Sequence, residues 1–258
     1  MNANYNNMEL MITIAARNLE DGAVVVVGTG VPCAAAMLAQ LTNSPNLMIL
    51  FEAGGIAPQL RTMPISVGDS RTSYKAIKAT SMAEIMELCQ AGIVDYCFLG
   101  GAQIDKYGNL NSTIIGENYL KPQTRFPGSG GANDLASLCW RTMVVTPQNK
   151  KRFATKIDFV TTPGYLEGGD SRVNAGLPKD TGPYKVITDI GVYGYHSDTK
   201  EMMLLSLHPG KSLQDVKDNA EFDIIIPRKY GNTEPPTTEE LSILREKVDP
   251  SRIIIGRE

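Results

Sequence analysis

The feature that most constrains the fold is an unbroken apolar run at residues 23–27, which leads directly into the turn Gly28-Thr29-Gly30. Branched apolar residues without polar interruption are typical of a parallel strand that is covered on both faces. The Ala-rich stretch 33–41 follows with helical composition, and residues 47–51 form a second short apolar run. Strand, glycine turn, helix and strand together predict a βαβ unit with a right-handed crossover.

The same alternation of helical and strand-like segments continues along the chain. Helical spacing or a capping box predicts three more helices, at residues 8–17, 81–90 (Ser81 with Glu84) and 237–248 (Thr237 with Glu240). Short apolar runs predict further strands at residues 94–99, 143–146, 157–161, 184–189 and 222–226. Residues 192–196 and 202–207 bracket a polar turn and predict a β-hairpin. We therefore predict an α/β fold with an open, mostly parallel sheet flanked by helices and a small β-hairpin addition, in a single domain over residues 1–258.

The composition excludes several classes of protein. With 25 Lys and Arg against 28 Asp and Glu, the formal charge is −3, so a strongly basic nucleic-acid binder is not expected. No apolar run approaches the roughly 18 residues of a membrane-spanning helix, and the N-terminus lacks the basic and apolar segments of a secretory signal. The four cysteines contain no C-x-x-C pair, so we expect them to be reduced and mostly buried in a cytoplasmic protein.

Glu52 is the sharpest single feature of the sequence. This carboxylate directly follows the apolar run 47–51 and precedes Ala53 and a pair of glycines. The carboxyl ends of parallel strands line the ligand crevice of open sheets, and a carboxylate that is partly withdrawn from water there is reactive. The structural alternative, in which Glu52 caps the following turn or helix through free backbone amides, is equally consistent with the spacing.

A second candidate is the glycine-rich segment 128–134, which precedes a helix-like stretch at residues 135–140. Consecutive glycines leave backbone N–H groups unobstructed, and such a nest can bind an anion or a developing oxyanion. The alternative is a plain turn in which Asn133 or Asp134 caps the helix, and this is the commoner outcome for glycine-rich loops.

A third candidate is Gly28-Thr29-Gly30, which begins a dinucleotide-binding fingerprint, with Glu52 close to the position of its ribose-binding acid. The fingerprint is incomplete because Cys33 occupies the position of the last glycine. The two histidines, His196 and His208, have no partners at metal-ligand spacing, so a metal site is not expected. A nucleotide-binding module therefore stays a competing hypothesis.

Several longer motifs, taken in order, resemble the β subunit of family I coenzyme A-transferases of the glutaconate CoA-transferase type. The resemblance runs over nearly the whole chain, with landmarks at residues 26–30, 51–54, 100–105, 107–113, 128–134, 156–160 and 249–250. It implies the coenzyme A-transferase fold, and it implies that Glu52 is the catalytic nucleophile. Ala53 departs from the Ser or Asn that usually follows this glutamate in the family, which leaves the nucleophile itself in place.

The resemblance implies a ping-pong reaction through covalent intermediates. The Glu52 carboxylate attacks the thioester of an acyl-CoA donor, and an acyl-glutamyl anhydride and a glutamyl-CoA thioester then carry CoA to a carboxylate acceptor, such as the short dicarboxylate glutaconate. Oxyanion or CoA-binding positions match Asn109, Asn111, Gly130, Gly131 and Ala132. Substrate-binding positions match Gly28, Gly30, Gly54, Gly100, Gly101 and Gln103.

The resemblance also implies the partners and substrates of the chain. It implies an α subunit as partner in a hetero-oligomer of αβ units, with coenzyme A as a substrate, no metal or redox cofactor, and no nucleic acid or membrane. An acyl-CoA hydrolase or lyase on the same scaffold stays an alternative, in which water rather than a carboxylate accepts the acyl group. The presence of Glu52 argues against relatives that have lost this residue and perform decarboxylation or ring hydrolysis.

Overall fold

Residues 4–256 are described by the structure, a computed structural model in which the chain divides into two units. The first unit contains residues 4–98 and 235–256, and the second contains residues 99–234. The single domain over residues 1–258 therefore stays a prediction. Among the described residues, none of the helices has the length and hydrophobicity that a bilayer-spanning segment requires.

The first unit carries the βαβ arrangement predicted from the sequence. Its elements up to residue 99 are α1 (Asn7–Arg17), β1 (Val24–Val27), α2 (Val31–Leu41), β2 (Met48–Phe51), β3 (Gly55–Ile56), a 3₁₀ turn (Ser70–Ser73), β4 (Lys78–Ala79), α3 (Met82–Gln90) and β5 (Tyr96–Leu99). The strands lie in the order β5-β1-β2-β3-β4. Pairing is parallel from β5 through β1 to β2, and antiparallel from β2 through β3 to β4.

Small side chains allow the helix α2 to be buried on every side. Ala34, Ala35, Ala36 and Ala39 are all 0% exposed, which is possible because alanine fills little space between packed elements. The helix α1 packs against α2, and its central residues from Leu10 to Ala16 are buried. The apolar run that defines β1 is buried from Val25 onward, as expected for a strand covered on both faces.

The second unit contains the remaining strands and three short helices. Its elements are β6 (Gln103–Ile104), β7 (Leu110–Asn111), β8 (Ile114–Ile115), β9 (Thr124–Arg125), α4 (Ala132–Leu138), β10 (Arg141–Val145), α5 (Ser171–Asn174), β11 (Gly182–Ile187), β12 (Gly191–Tyr195), β13 (Met202–Leu207), α6 (Leu213–Asp218) and β14 (Gly231–Asn232). Five strands lie in the order β14-β13-β12-β11-β10, around a core that includes Val144, Phe153, Val186, Tyr193 and Leu204. The pairs β6-β7 and β8-β9 form two separate hairpins.

The chain returns to the first unit with α7 (Thr238–Ile243), which continues as a π-helical turn (Leu244–Val248). The predicted capping box is present, because Thr237 accepts from the Glu240 N–H and Glu240 reaches back to the Thr237 N–H. Two ion pairs tie this segment to α1, from Arg17 to Glu240 and from Arg245 to Glu9. The predicted stop before Asp249-Pro250 is confirmed.

The predicted α/β class is confirmed, together with the parallel βαβ unit and the hairpin of β12 and β13. Two predicted strands are wrong. Residues 157–161 form no ladder: the Asp158 N–H bonds to the Gln103 side chain, and the Thr161 N–H bonds to the single carbonyl of Leu110. Residues 222–226 form only the isolated bridge between Met203 and Ile225, and Pro227, which has no N–H, follows immediately.

Candidate active site

The carboxyl ends of β1 and β2 lie side by side. The two strands are parallel, and Val27 pairs with Phe51 at the end of the register. The next residues along the chain, Gly28 and Glu52, therefore leave the strands at the same edge. This edge is where open α/β sheets bind their ligands, and the structure brings the predicted glycine turn to the predicted nucleophile there.

Glu52 occupies the tip of a tight turn between β2 and β3. The Phe51 carbonyl accepts a hydrogen bond from the Gly54 N–H at 2.9 Å, which closes the turn. Phe51 is 1% exposed, whereas Glu52 is half-buried and Ala53 is exposed. The backbone before the carboxylate is therefore fixed in the core, while the carboxylate lies at the boundary with solvent. The next element is a strand, so Glu52 caps no helix here, and the alternative in which it caps the turn itself stays open.

Gly54 has a packing function that explains its identity. Its φ is +115°, a left-handed conformation that side chains disfavour, and a Cβ there would overlap the Thr80 carbonyl. The Gly54 carbonyl accepts from the Thr80 N–H at 2.9 Å. A Cβ on Gly55 would similarly overlap the Thr72 carbonyl. The glycine pair after Glu52 thus lets the turn pack directly on neighbouring backbone, and substrate binding by Gly54 stays a prediction.

The glycine turn after β1 leads into the N-terminus of α2. Gly30 adopts φ +88° as the N-cap residue, and its carbonyl accepts from the Ala34 N–H at 3.0 Å. Pro32 occupies the first turn of the helix, where its missing N–H costs no helical hydrogen bond. The positive end of the α2 dipole therefore begins at the edge that carries Glu52, where it favours negative charge. A Cβ on Gly28 would meet nothing within 4 Å, so the space beside this turn is open.

Cys33, which occupies the position of the last glycine of the dinucleotide fingerprint, is a buried residue of α2. The side chain is 0% exposed, and burial raises the pKa of its thiol to about 12. A protonated, inaccessible thiol is a poor nucleophile. The predicted burial of all four cysteines is confirmed.

In the second unit, Gln103 and Asn111 form one buried network. The Gln103 carbonyl oxygen accepts from the Asn111 amide at 2.6 Å and from the Asp158 N–H at 2.9 Å. The second Asn111 N–H goes to the Ile114 carbonyl at 2.6 Å. Gly101 lies against the same network, since its Cβ would come within 3.1 Å of the Asn111 carbonyl. In this arrangement both amide hydrogens of Asn111 hold loops together, and its oxyanion role stays a prediction.

Asn109 is the hub of a second network. Its amide donates to Asp105 at 2.7 Å and to the Leu166 carbonyl at 2.8 Å, and its carbonyl oxygen accepts from the N–H groups of Gly164 and Leu166 at 2.8 and 3.1 Å. The side chain is 3% exposed. Both amide hydrogens are thus already given to groups of this chain. Together with the hydrogen bond from the Tyr165 N–H to the Tyr107 carbonyl at 2.9 Å, this residue fastens the loop 105–109 to the loop 164–166.

The segment at residues 128–131 forms the predicted turn before a helix, but the residue that caps the helix differs from the two predicted ones. Gly131 is the N-cap of α4, and neither Asn133 nor Asp134 fills that role; the Asn133 amide bonds instead to the Thr161 carbonyl at 3.1 Å. The Ala132 N–H donates to the Ser129 carbonyl at 2.9 Å and so closes the turn. Gly130 is exposed with φ +50°, and it is the member of the predicted trio whose backbone is most open to a ligand.

A cavity of about 550 Å³ lies in the second unit beside the Asn109 network. Asp105 and Leu166 line it, and Lys106 and Lys156 add positive charge. Burial raises the pKa of Asp105, although the Asn109 amide and two backbone N–H groups bond to its carboxylate. Gly100, the other predicted substrate-binding glycine of this unit, is exposed.

Sequence reasoning missed Arg172, the largest fully buried side chain. Its guanidinium donates to the Ala136 carbonyl at 2.7 Å, to the Gly164 carbonyl at 3.0 Å and to the Thr181 hydroxyl at 3.0 Å. The residue therefore joins the end of α4 to the loop that Asn109 holds. A lone arginine in a polar stretch carries no signal that would identify such a role.

Both ring nitrogens of His208 have hydrogen-bond partners within the chain. His208 is 3% exposed, and its ring bonds to the Thr188 carbonyl at 2.7 Å and to the Thr233 hydroxyl at 3.0 Å. Among residues 4–256, no group of three or more His, Cys, Asp or Glu side chains is arranged to hold a metal ion.

Comparisons with known proteins agree with this architecture. A family model described as Coenzyme A transferase matches residues 8–219. The chain is 38% identical over 242 residues to the B subunit of 3-oxoadipate CoA-transferase from Pseudomonas knackmussii, covering 93% of this chain and 92% of the relative. It is 38% identical over 258 residues to the B subunit of glutaconate CoA-transferase from Acidaminococcus fermentans, covering 98% and 96%.

The same similarity is present in three dimensions. The crystal structure of glutaconate coenzyme A-transferase from Acidaminococcus fermentans superposes with a TM-score of 0.93 at 36% identity, and the match covers 100% of both chains. The similarity therefore extends over the whole fold, including the turn that carries Glu52.

Proposed function

Because the chain belongs to the coenzyme A transferase family, we propose that Glu52 is the nucleophile through which it moves CoA from an acyl-CoA donor to a carboxylate acceptor. One observation carries this assignment. Glu52 directly follows a buried strand, at the edge where the glycine turn and the N-terminus of α2 begin. This places a carboxylate at the ligand-binding edge of a parallel pair, next to backbone groups that favour negative charge.

The first half of the reaction transfers CoA to the protein. A Glu52 carboxylate oxygen attacks the thioester carbonyl carbon, the C–S bond breaks, and an acyl-glutamyl anhydride and CoA thiolate result. The thiolate then attacks the glutamyl carbonyl carbon, which releases the donor as a carboxylate and leaves a glutamyl-CoA thioester. The acceptor carboxylate repeats these two steps in reverse order, which restores Glu52. No net oxidation or hydrolysis occurs, so the energy of the thioester is conserved.

Each of these steps passes through a tetrahedral oxyanion, which requires hydrogen-bond donors or a positive dipole. In the first unit, the N-terminus of α2 supplies such a dipole beside the Glu52 turn. Of the donors predicted in the second unit, Gly130 is exposed, and its role stays a prediction together with the roles of Gly131 and Ala132. The Asn109 and Asn111 amides serve as supports in this proposal, because their hydrogens already bond to the chain.

The acyl group that we propose is that of a short dicarboxylate. The names of two relatives at 38% identity specify glutaconate and 3-oxoadipate, both of which are dicarboxylates. A panel of donors and acceptors that contrasts glutaconate, 3-oxoadipate and monocarboxylates such as acetate tests this choice. A preference for monocarboxylates would overturn it.

We also propose that the chain functions with a second, A-type subunit in a hetero-oligomer. Both relatives are named as B subunits, which supports a two-chain enzyme. The cytoplasm is the compartment that we propose for this assembly, because its reducing conditions suit a chain whose four cysteines are buried and form no disulfide bond with one another. Full transferase activity of this chain as an isolated monomer would refute the partnership.

The alternative activity, acyl-CoA hydrolysis, differs in the group that accepts the acyl carbon. CoA release from acyl-CoA in the absence of any carboxylate acceptor, at the rate seen with acceptor present, would favour the hydrolase. Tight binding of a nicotinamide dinucleotide without affinity for acyl-CoA would favour the nucleotide-binding module. The transferase predicts that no free CoA appears without an acceptor: one equivalent of the donor is released as its carboxylate, while CoA stays bound to Glu52 as the thioester.

The decisive experiment is intact-mass analysis of the assembled complex after addition of acyl-CoA. We expect this chain to gain the mass of a bound CoA, and peptide mapping to place it on Glu52. Glu52→Gln keeps the shape of the side chain but removes the nucleophilic oxygen, so it should lose both the adduct and the activity. Glu246→Gln, at an exposed glutamate of the same unit, is the matched control that should keep both. An adduct that persists in Glu52→Gln rules out the assignment.

A further inference from the structure

Three side chains next to the Glu52 turn form a group that we name the edge clamp: Lys78, Thr80 and Glu84. The Glu84 carboxylate bonds through one oxygen to the Lys78 ammonium and through the other to the Thr80 hydroxyl. Lys78 belongs to β4 and Glu84 belongs to the first turn of α3. The carboxylate therefore joins the strand to the helix. These bonds also lower the pKa of Glu84, with the Lys78 contribution the largest, so the carboxylate is ionised at neutral pH.

The predicted capping box of α3 is only half formed, and the clamp explains why. Ser81 accepts from the Glu84 N–H at 3.3 Å, as predicted. The Glu84 side chain, which would complete the box by turning back to the Ser81 backbone, bonds to Thr80 and Lys78 instead. Of the two roles open to Glu84, capping the helix and fastening the strand, its side chain performs the second.

The strand that Glu84 fastens is the one against which the Glu52 turn packs. Gly55 pairs with Ala79 and Ile56 pairs with Lys78. One residue earlier, the Gly54 carbonyl accepts from the Thr80 N–H at 2.9 Å, and Gly54 lies so close to the Thr80 carbonyl that only glycine fits. Gly54 in turn donates to Phe51 and closes the turn around Glu52. A continuous path of contacts thus runs from Glu84 through Thr80 and Gly54 to Glu52.

This path matters because β4 has little stability of its own. It is two residues long, both residues are exposed, and it is the last strand in the order of its unit. Very short edge strands have few ladder hydrogen bonds and depend on side-chain contacts to stay in place. Without the clamp, only backbone hydrogen bonds hold β4 against the Glu52 turn, so the position of Thr80 against Gly54 is less restricted.

We propose that Glu84 is a positioning residue for the reaction, and that it acts through Thr80 and Gly54 to hold the Glu52 carboxylate in its attacking geometry. This inference rests on the proposed function of Glu52. Glu84 itself is not placed in contact with substrate. Its contribution is to the orientation of the nucleophile, where a displacement of about 1 Å can lower a rate about 100-fold.

The test compares Glu84→Ala and Thr80→Val with the control Glu87→Ala in the assembled complex. Glu87 is an exposed glutamate of the same helix, three residues later, and it does not belong to the clamp. Thr80→Val keeps the shape of the side chain but removes the hydroxyl that Glu84 binds. We expect both clamp variants to slow formation of the glutamyl-CoA thioester on the order of 10–100-fold. The KM for acyl-CoA and the unfolding temperature should stay near those of the unaltered complex, and Glu87→Ala should resemble it in every respect.

Two further measurements separate positioning from a general loss of structure. The double variant Glu84→Ala with Thr80→Val should be no slower than either single variant, because both interrupt the same path. Glu84→Gln should recover most of the rate, because its amide can still bond to Thr80 and Lys78. Additive losses, a rise in KM without a fall in rate, or clamp variants that react normally would each overturn the proposal. If the unaltered complex forms no adduct, the proposed function itself is wrong, and the two failures are distinct.

Discussion

Replacement of Asn109 by alanine tests whether this amide supports the fold or contacts the substrate. In the structure its side chain makes four hydrogen bonds and is 3% exposed. Alanine removes all four and leaves the Gly164 N–H buried without its acceptor. The loops approach so closely here that a Cβ on Gly164 would overlap the backbone of Gly108, so relaxation around the gap is restricted.

The expected cost follows from these contacts. A buried N–H that loses its partner costs about 1–3 kcal/mol, and the other bonds contribute about 0.5–1.5 kcal/mol each. Because the Leu166 groups and Asp105 are nearer to water and can rehydrate in part, we expect a total loss of about 3–5 kcal/mol in the free energy of unfolding.

The assay uses the single tryptophan of the chain. Trp140 lies in the second unit, at the end of α4, so its fluorescence during urea titration reports on the unit that Asn109 supports. Asn174→Ala, at an exposed asparagine of the same unit, is the control and should change the free energy of unfolding by less than about 0.5 kcal/mol. If Asn109→Ala leaves the urea midpoint unchanged and instead lowers the rate about 10²–10³-fold, the residue is an oxyanion donor and our reasoning is refuted.

Two further predictions concern buried polar groups of the second unit. Arg172→Lys should lower the free energy of unfolding by about 2–4 kcal/mol. A lysine ammonium cannot reach the carbonyls of Ala136 and Gly164 and the Thr181 hydroxyl together, as the arginine does. An unchanged urea midpoint, followed by Trp140 fluorescence, would contradict this prediction. Burial lowers the pKa of His208 below its ordinary value of 6.5, so the folded state prefers the neutral ring, and stability should be complete above pH 6.5 and decline as the pH falls below it. Urea titrations between about pH 7.5 and about pH 5.5 should show this decline, and His208→Gln should flatten it; an equal slope in both proteins would assign the pH dependence to other groups.

The first unit could be predicted where its structure depends on residues that are close together in the sequence. The apolar runs, the glycine turn and the alanine-rich helix each indicate their structure within a few residues, and the parallel direction of β1 and β2 follows from the crossover. Glu52 could therefore be placed at the correct edge from the sequence. The capping residues Thr237 and Glu240 were predictable for the same reason, since their bonds span three residues.

The interactions that sequence reasoning missed join distant residues through side chains. Asn109 and Gly164 are 55 positions apart, and Arg172 and Ala136 are 36 apart, so no local pattern indicates that they meet. Apolar composition also overstated the number of strands. Within residues 157–161 the Asp158 N–H bonds to the Gln103 side chain rather than to a neighbouring strand, and a hydrophobic pattern does not reveal where a segment's hydrogen bonds go.

The cysteines have a practical consequence for every assay of CoA release. Reagents that report free thiols by colour detect CoA directly, but protein thiols usually add a background that drifts during the measurement. All four cysteines of this chain are buried, so such reagents cannot reach them, and burial raises the pKa of the Cys33 thiol to about 12. In the folded state the cysteines of this chain should therefore not react with a thiol reagent. A slow rise in colour without substrate would measure the unfolding of the chain.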